Sequence, residues 1–206
     1  MSMLEAKNIT FGYPGAKPLY DGFSIVVELG ERVALAAPSG AGKTTLCRLL
    51  AGFERPWKGD VLCDGQPLPR TGTCPVQLVG QHPELALDPR IRMSRSLEEA
   101  GEVPNELLSA LGIRSEWMRR YPHELSGGEL QRFCIARALA ARPKYLIADE
   151  ISTMLDAVTQ AQIWSFLLEE LDRKHMGLVF VSHSPALTKR LATRIVNVTT
   201  GKTTGT

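Results

Sequence analysis

Residues 33–50 read VALAAPSGAGKTTLCRLL, a segment that joins a short apolar run to a helical pattern through a turn that contains two glycines. The apolar run covers residues 33–37, and the helical pattern covers residues 44–50. Near-continuous apolar runs are typical of strands that are covered on both faces of a parallel sheet. Similar runs recur at residues 76–80, 145–148 and 178–181, with a helical pattern at 156–174. Alternating strands and helices predict an α/β fold with right-handed crossovers.

The turn after the first run has the composition of a phosphate-binding loop. Its glycines let backbone N–H groups point at phosphate oxygens, and the following helix adds its positive N-terminus. Lys43 is expected to reach the β- and γ-phosphates, and the Thr44 hydroxyl to hold Mg²⁺. The turn resembles a P-loop except that Ala37 stands where the pattern begins with glycine; a structural glycine turn is the alternative. The predicted nucleotide contacts are Ser39, Gly40, Ala41, Gly42, Lys43, Thr44 and Thr45.

The other three apolar runs also end in polar, chemically specific residues. The second ends at Gln81, the third at Asp149 and Glu150, and the fourth at His183. Because the carboxyl ends of parallel strands share one edge of a sheet, these residues are predicted to converge with the glycine turn on one site.

The adjacent carboxylates are the strongest catalytic candidates in this group. Asp149 is expected to hold Mg²⁺, directly or through water. Glu150 is expected to act on the attacking water as a general base or an orienting group. An inert acidic pair at a helix N-terminus is the alternative.

Three further residues have a functional and a structural interpretation. Gln81 could lie near Mg²⁺ and water, or be a solvated loop residue. His183 could contact a terminal phosphate or hold Glu150, or be a structural histidine. Tyr13, in the turn FGYPG, could stack on an adenine ring or pack within the turn.

Composition excludes several classes of protein. The chain has 206 residues, 44% of them hydrophobic and 22% charged, and a formal net charge of +2. This near-neutral balance argues against a dedicated nucleic-acid binder. No apolar stretch is long enough to span a bilayer, and the N-terminus lacks the apolar run of a secretory signal. The cysteines form no CxxC pair, so we expect a soluble intracellular protein with reduced thiols at Cys47, Cys63, Cys74 and Cys134.

The middle of the chain is mainly helical in pattern. From residue 94 to residue 142 helical runs follow one another without a strong strand signal, whereas residues 2–8 and 23–29 favour strands. We therefore expect a single domain over residues 1–206. Residues 1–85 and 143–206 would form the α/β core with its β subdomain, and residues 86–142 an inserted helical subdomain.

Residues 125–129, LSGGE, complete a set of motifs in a recognisable order. The turn feeds a helix N-terminus, so it is another potential anion site. Together with the P-loop, Asp149, Glu150 and His183 it resembles the signature of ABC-type ATPases. The resemblance implies a P-loop NTPase (RecA-like) core with an antiparallel β subdomain and a helical insertion. It further implies a head-to-tail dimer that binds ATP and Mg²⁺, in which one subunit contacts the other's ATP through Ser126, Gly127, Gly128 and Glu129.

Finer similarity points to the ATP-binding components of dipeptide, oligopeptide and nickel importers. It is carried by residues 121–139, 147–164 and 84–90. Three departures occur: Glu129 replaces the usual Gln, ISTMLD replaces PTSALD at residues 151–156, and Ser184 replaces Asp. Met154 and Glu129 fall at implied subunit contacts. Asp156 could bridge the two sites of the dimer or simply cap a helix.

The resemblance implies an ATP-hydrolysing subunit that energises the import of a peptide, nickel or a related small solute. Its partners would be a second ATPase subunit, transmembrane permease subunits and an external solute-binding protein, with no nucleic acid. It would be cytoplasmic, peripheral on the inner face of the cell membrane. Leu85, Leu87 and Met93 are expected to be exposed and to grip the permease, or to be subdomain core.

Two alternatives come from other functional classes. A soluble ABC ATPase of DNA repair is disfavoured, because the sequence between Lys43 and Ser126 is too short for a long coiled-coil insertion. Translation factors of this type usually carry two such domains. A non-hydrolysing nucleotide-binding regulator is disfavoured because Lys43, Asp149, Glu150 and His183 are all present.

Overall fold

The computed structural model, which describes residues 2–199 and 203–205, combines two β-sheets with helices that cover them. The strands are Met3–Phe11 (β1), Tyr20–Glu28 (β2), Arg32–Ala36 (β3), Lys58–Cys63 (β4), Gln66–Pro67 (β5), Val76–Val79 (β6), Tyr145–Asp149 (β7), Gly177–Val181 (β8), Arg194–Asn197 (β9) and Thr203–Gly205 (β10). The α-helices are Lys43–Leu50 (α1), Met93–Glu98 (α2), Asn105–Ala110 (α3), Gly127–Ala140 (α4), Ala157–Lys174 (α5) and Pro185–Leu191 (α6). Short 3-10 turns cover Pro83–Leu85, Ser115–Arg119 and Pro122–Glu124.

The larger sheet is the predicted parallel one. Its strand order is β6-β7-β8-β3-β9-β10, and every neighbouring pair is parallel except β9 and β10. Asp149 pairs with Val181, and Val79 pairs with Ala148, so the ends of these strands lie level with one another. The carboxyl ends of β3, β6, β7 and β8 therefore share one edge, as the sequence predicted.

Helices bury both faces of this sheet, which explains why its strands are nearly continuous in apolar residues. Every residue of β7 and β8 is buried. Along β8 the side chains alternate between two hydrophobic clusters: Leu178 and Phe180 face one, whereas Val179 and Val181 face the other. Alternation across the strand thus distributes a single apolar run over two cores.

The smaller sheet is antiparallel, in the order β2-β1-β4-β5, as the family resemblance implied. Along β2 buried and exposed residues largely alternate, so one face is buried and the other is open. The buried face contributes Leu4, Ile9 and Ile25 to the cluster that contains Leu46 and Leu50 of α1. The antiparallel sheet therefore packs against the helix that follows the glycine turn.

Between Pro83 and Ala140, a stretch that the structure describes throughout, the chain forms helices and 3-10 turns and no strand. Residues 115–121, predicted to be helical, form only the 3-10 turn Ser115–Arg119. Arg120 is extended, and Pro122 disfavours a helical conformation at the residue before it.

The expectation that Leu85, Leu87 and Met93 are all exposed is wrong for two of them. Leu85 is 82% exposed, but Leu87 is 4% and Met93 0% exposed. Both buried residues belong to the cluster that also contains Phe133 of α4. They are core residues of the helical segment, which was the alternative interpretation.

The cysteines are free thiols, with Cys47, Cys63 and Cys134 buried. Burial is the largest cause that raises the pKa of Cys134 to about 12 and that of Cys63 to about 11. Both thiols are therefore protonated near neutral pH, as expected of apolar core residues. No helix in the described part of the chain has the length and apolar character that crossing a membrane requires.

Candidate active site

The glycine turn between β3 and α1 forms a loop closed on the Lys43 side chain. Gly40 and Gly42 have φ of 78° and 95°, the left-handed region that glycine adopts without steric cost. The Lys43 ammonium donates to the carbonyl oxygens of Ala37 at 2.8 Å and Pro38 at 3.1 Å. Ala37 does not have a positive φ, so alanine is accommodated at this departure from the P-loop pattern without backbone strain.

Asp149 ends β7 and is 3% exposed. Burial raises the pKa of its carboxyl group, a hydrogen bond from Thr44 opposes that rise, and the neighbouring Glu150 adds to it. The Asp149 Oδ1 atom has no hydrogen-bond partner among the described residues. An unpaired buried carboxylate oxygen beside a threonine hydroxyl has the donor chemistry that a hard divalent cation requires. The residues present therefore fit Mg²⁺.

Glu150 and His183 are in direct contact. The Nε2 atom of His183 lies 2.8 Å from Oε1 of Glu150, and the Glu150 side chain is largely buried whereas that of His183 is more than half exposed. Glu150 has φ of 53°, and its N–H donates to the Val181 carbonyl at 3.2 Å. A left-handed glutamate is uncommon, and such strain is concentrated at functional sites. No residue pattern around Glu150 predicts this conformation.

Gln81 follows β6 after a single residue, and the main chain beside it is held by α4. Side chains spaced three apart on α4 donate to carbonyl oxygens spaced three apart after β6. The bonds join Gln131 to Gly80 at 3.1 Å, Cys134 to Pro83 at 3.7 Å and Arg137 to Ala86 at 2.8 Å. We call this set the α4 ladder. It was not predicted, because its acceptors are main-chain atoms that every sequence supplies.

Tyr13 lies in the turn after β1 and is 47% exposed. Phe11 supports the ring edge-on, at 5.4 Å between centroids. The hydroxyl oxygens of Tyr13 and Thr45 are 3.1 Å apart, so the ring is tied to α1. An exposed, tethered ring beside the glycine loop has the placement that adenine stacking requires.

The LSGGE segment opens α4. Ser126 is the N-cap: its hydroxyl accepts from the Glu129 N–H at 3.3 Å, and the Glu129 carboxylate accepts from the Ser126 N–H at 2.8 Å. This is a reciprocal capping box. This role of Glu129 was not predicted, although serine followed three residues later by glutamate is the known signal of a capping box.

Ser126–Glu129 of LSGGE line a cavity of about 500 Å³ together with Met154 and Asp156, and no residue of the glycine loop lines it. Met154 packs on the main chain of Gly127, where an added Cβ would lie 2.8 Å from its sulfur. Within one chain, the glycine loop therefore has no part in the cavity that LSGGE lines.

Asp156 caps α5 in this structure. Its Oδ1 accepts from the N–H groups of Val158 and Thr159, each at 3.0 Å. These bonds, from Thr159 above all, lower the pKa of the Asp156 carboxyl group. The helix-cap interpretation accounts for everything that a single chain shows here.

The chain is similar in sequence to a known protein family and to proteins of known function. The model of the ABC transporter family matches residues 20–153. The glutathione import ATP-binding protein GsiA of Pectobacterium atrosepticum is 38% identical over an alignment of 185 positions, gaps included, that covers 81% of this chain and 30% of that protein. The nickel import ATP-binding protein NikE of Rhodospirillum rubrum is 36% identical over an alignment of 211 positions, gaps included, that covers 93% of this chain and 76% of that protein. This chain thus spans under a third of GsiA and about three quarters of NikE.

A solved structure agrees on the fold. A dimeric post-hydrolysis state of an ATP-binding cassette, bound to ADP and Pi, superposes with a TM-score of 0.85, covers 98% of both chains and is 23% identical. The fold and the site define a P-loop NTPase of the cassette type. The chain belongs to the ABC transporter family.

Proposed function

We propose that this chain hydrolyses ATP at the shared edge of β3, β6, β7 and β8, and that hydrolysis drives an importer of a small solute. The observation that carries the proposal is that segments far apart in sequence meet at that edge: Thr44, next to Lys43, hydrogen-bonds to Asp149, and His183 contacts Glu150. Residues spread over distant segments converge in this way where a fold has built a site.

Within this site each side chain has a proposed task. Lys43 exchanges its loop carbonyls for the β- and γ-phosphates, and Tyr13 stacks on the adenine. Ser39, Gly40, Ala41, Gly42 and Thr45 complete the nucleotide contacts. Thr44, Asp149 and Gln81 hold Mg²⁺, which supplies positive charge to the phosphates when it is bound.

Glu150 and His183 act on the attacking water in this proposal. Glu150 orients the water and accepts hydrogen bonding from it, and His183 fixes the Glu150 carboxylate. The water oxygen forms a bond to the γ-phosphorus, and the bond from that phosphorus to the β–γ bridging oxygen breaks. The products are ADP and inorganic phosphate. The proton of the water passes to the Glu150 carboxylate or to a phosphate oxygen.

We propose that the LSGGE cavity receives ATP bound to a second cassette. Ser126, Gly127, Gly128 and Glu129 open a helix whose N-terminus favours an anion, and no residue of the glycine loop of the same chain lines this cavity. Two cassettes placed head to tail would pair each loop with the partner's LSGGE. Asp156, on the wall of the same cavity, would then lie between the two sites.

The relatives' names indicate the class of cargo. They import glutathione and nickel, and another relative, at 31% identity, transports di- and tripeptides. We infer a cargo of this kind, a peptide, nickel or a related small solute. Permease subunits and a solute-binding protein would complete the importer, with this chain on the cytoplasmic side of the membrane.

A groove beside the helical segment is the proposed permease contact. It has a volume of about 650 Å³, and it is lined by the exposed side chains of Phe53 and Leu85 and, from residues 86–142, by Glu99 and Arg137 among others. We propose residues 86–142 as the helical subdomain.

Leu85→Ser should abolish transport and leave basal ATP hydrolysis intact, whereas Leu87→Ser should destabilise the fold because Leu87 is buried.

The steady-state rate of phosphate release tests the catalytic assignment. Wild type should hydrolyse ATP, and Glu150→Gln should lose about 10²–10⁴-fold in kcat while still binding ATP. Equal rates for the two proteins would exclude Glu150 as the catalytic group. Absence of hydrolysis in wild type, with ATP bound, would instead favour a nucleotide-binding regulator.

A further inference from the structure

Tyr20 is a buried residue of the antiparallel sheet whose hydroxyl reaches the glycine loop. It opens β2, is 3% exposed, and its ring packs against Phe23 at 5.3 Å between centroids. Its hydroxyl donates to the carbonyl oxygen of Gly42 at 2.8 Å. None of the roles assigned above uses this residue.

The Gly42 carbonyl also accepts the N–H of Leu46, at 2.9 Å, which is the first hydrogen bond of α1. Its two lone pairs are thereby engaged from two directions, by the helix and by Tyr20. Because the peptide group is planar, fixing this carbonyl also fixes the N–H of Lys43, which points the opposite way. That N–H is one of the free donors at the N-terminus of α1, where a phosphate would bind.

The packing around Gly42 leaves no room for a side chain at this position. A Cβ built on Gly42 would lie 2.6 Å from Cδ2 of Leu19 and 2.8 Å from the Tyr20 hydroxyl. Burial raises the pKa of the Tyr20 phenol, so the hydroxyl keeps its proton and remains a donor.

We propose that Tyr20 is a positioning residue that holds the Gly42–Lys43 peptide in the orientation that binds phosphate. The inference rests on the proposed function of the glycine loop as the nucleotide site. Without the hydroxyl, the loop must be ordered by the nucleotide itself, so part of the binding free energy is lost. The Tyr20 hydroxyl contacts the loop at the Gly42 carbonyl and has no task in the reaction proposed above, so chemistry on bound ATP should be unaffected.

Tyr20→Phe tests this, because it removes the hydroxyl and keeps the ring. The loss of one buried hydrogen bond should raise the Kd for ATP and for ADP by about 3- to 10-fold each. The KM for ATP should rise similarly, with kcat at saturation within about twofold of wild type. Tyr121→Phe, in the helical segment, is the matched control and should leave both Kd values unchanged. Adenosine has no phosphate, so its Kd should be the same for wild type and for Tyr20→Phe.

The possible outcomes separate this inference from the proposed function. Wild type that binds neither ATP nor ADP would overturn the proposed function and the role of Tyr20 with it. Wild type that binds both, with Tyr20→Phe binding them equally tightly, would overturn only the role of Tyr20. A variant that loses adenosine as strongly as ATP would show general damage to the site and would also overturn it.

Discussion

Two adjacent residues at the end of strand β7 have features that lower the stability of the fold. Asp149 holds a carboxylate oxygen that no described residue pairs, and Glu150 adopts a left-handed backbone. Each feature costs stability, on the order of 1–3 kcal/mol for the backbone alone. A site that must bind a cation and a reacting water gives a reason to retain both.

For Glu150, the contact with His183 leads to a kinetic prediction. His183→Ala frees the Glu150 carboxylate from the 2.8 Å contact, and misplacement of such a group can cost up to about 100-fold in rate. We expect kcat to fall towards this limit while KM for ATP stays near wild type, in steady-state assays. His123→Ala, at an exposed histidine of the helical segment, is the control. An unchanged kcat for His183→Ala would show that the contact has no part in catalysis.

For Asp149, burial leads to a prediction about stability. Its pKa is raised on folding, so the charged form disfavours the folded state, and this cost grows as pH rises through the ordinary carboxylate range and above. Asp149→Asn should therefore raise the Tm of the nucleotide-free protein at neutral pH, by roughly 2–4 °C for each kcal/mol relieved. The increase in Tm should shrink at acidic pH, where the Asp149 carboxyl group is protonated and therefore neutral like the asparagine amide. ATP hydrolysis should be lost in the variant.

Thermal unfolding of wild type and Asp149→Asn at several pH values, without nucleotide or Mg²⁺, measures this directly. If Asp149→Asn were less stable than wild type at neutral pH, the neighbouring groups would stabilise the Asp149 carboxylate more than its unpaired oxygen implies, and the prediction would be wrong.

At the scale of elements, the α4 ladder binds the segment after β6 to the helix that carries LSGGE. Gln131 is buried, and its amide is the rung next to Gln81. Gln131→Ala would remove the partner of the part-buried Gly80 carbonyl, at a cost of about 1 kcal/mol. Urea unfolding should report that loss, and Gln162→Ala, at an exposed position of α5, should stay within about 0.5 kcal/mol of wild type. Equal stabilities for the two variants would argue against the ladder.

The elements also show what the sequence could and could not predict. The strands of the parallel sheet were predictable because each is a short apolar run buried on both faces, and the edge they share follows from parallel pairing alone. The strands β4 and β5 were missed: the first begins with exposed polar residues and the second has two residues, so neither has a readable alternation.

The candidate site was predictable at the ends of strands and less so elsewhere. Leu87 and Met93 were expected at the surface because single apolar residues in a polar stretch do not reveal which way they face. The left-handed Glu150, the α4 ladder and the Tyr20 contact depend on tertiary approach to main-chain atoms, for which a sequence has no pattern. The Glu129 capping box was the exception, since its spacing is local.

For the whole molecule, the central claim is that one ATP binds at the shared strand edge and that a partner's LSGGE closes over it. The most direct test is the structure of Glu150→Gln with ATP and Mg²⁺. We predict a head-to-tail dimer with the triphosphate between Lys43 and Asp149 of one subunit and Ser126 of the other. A triphosphate bound away from the ends of β3, β6, β7 and β8, or a saturated monomer with the LSGGE cavity open to solvent, would contradict it.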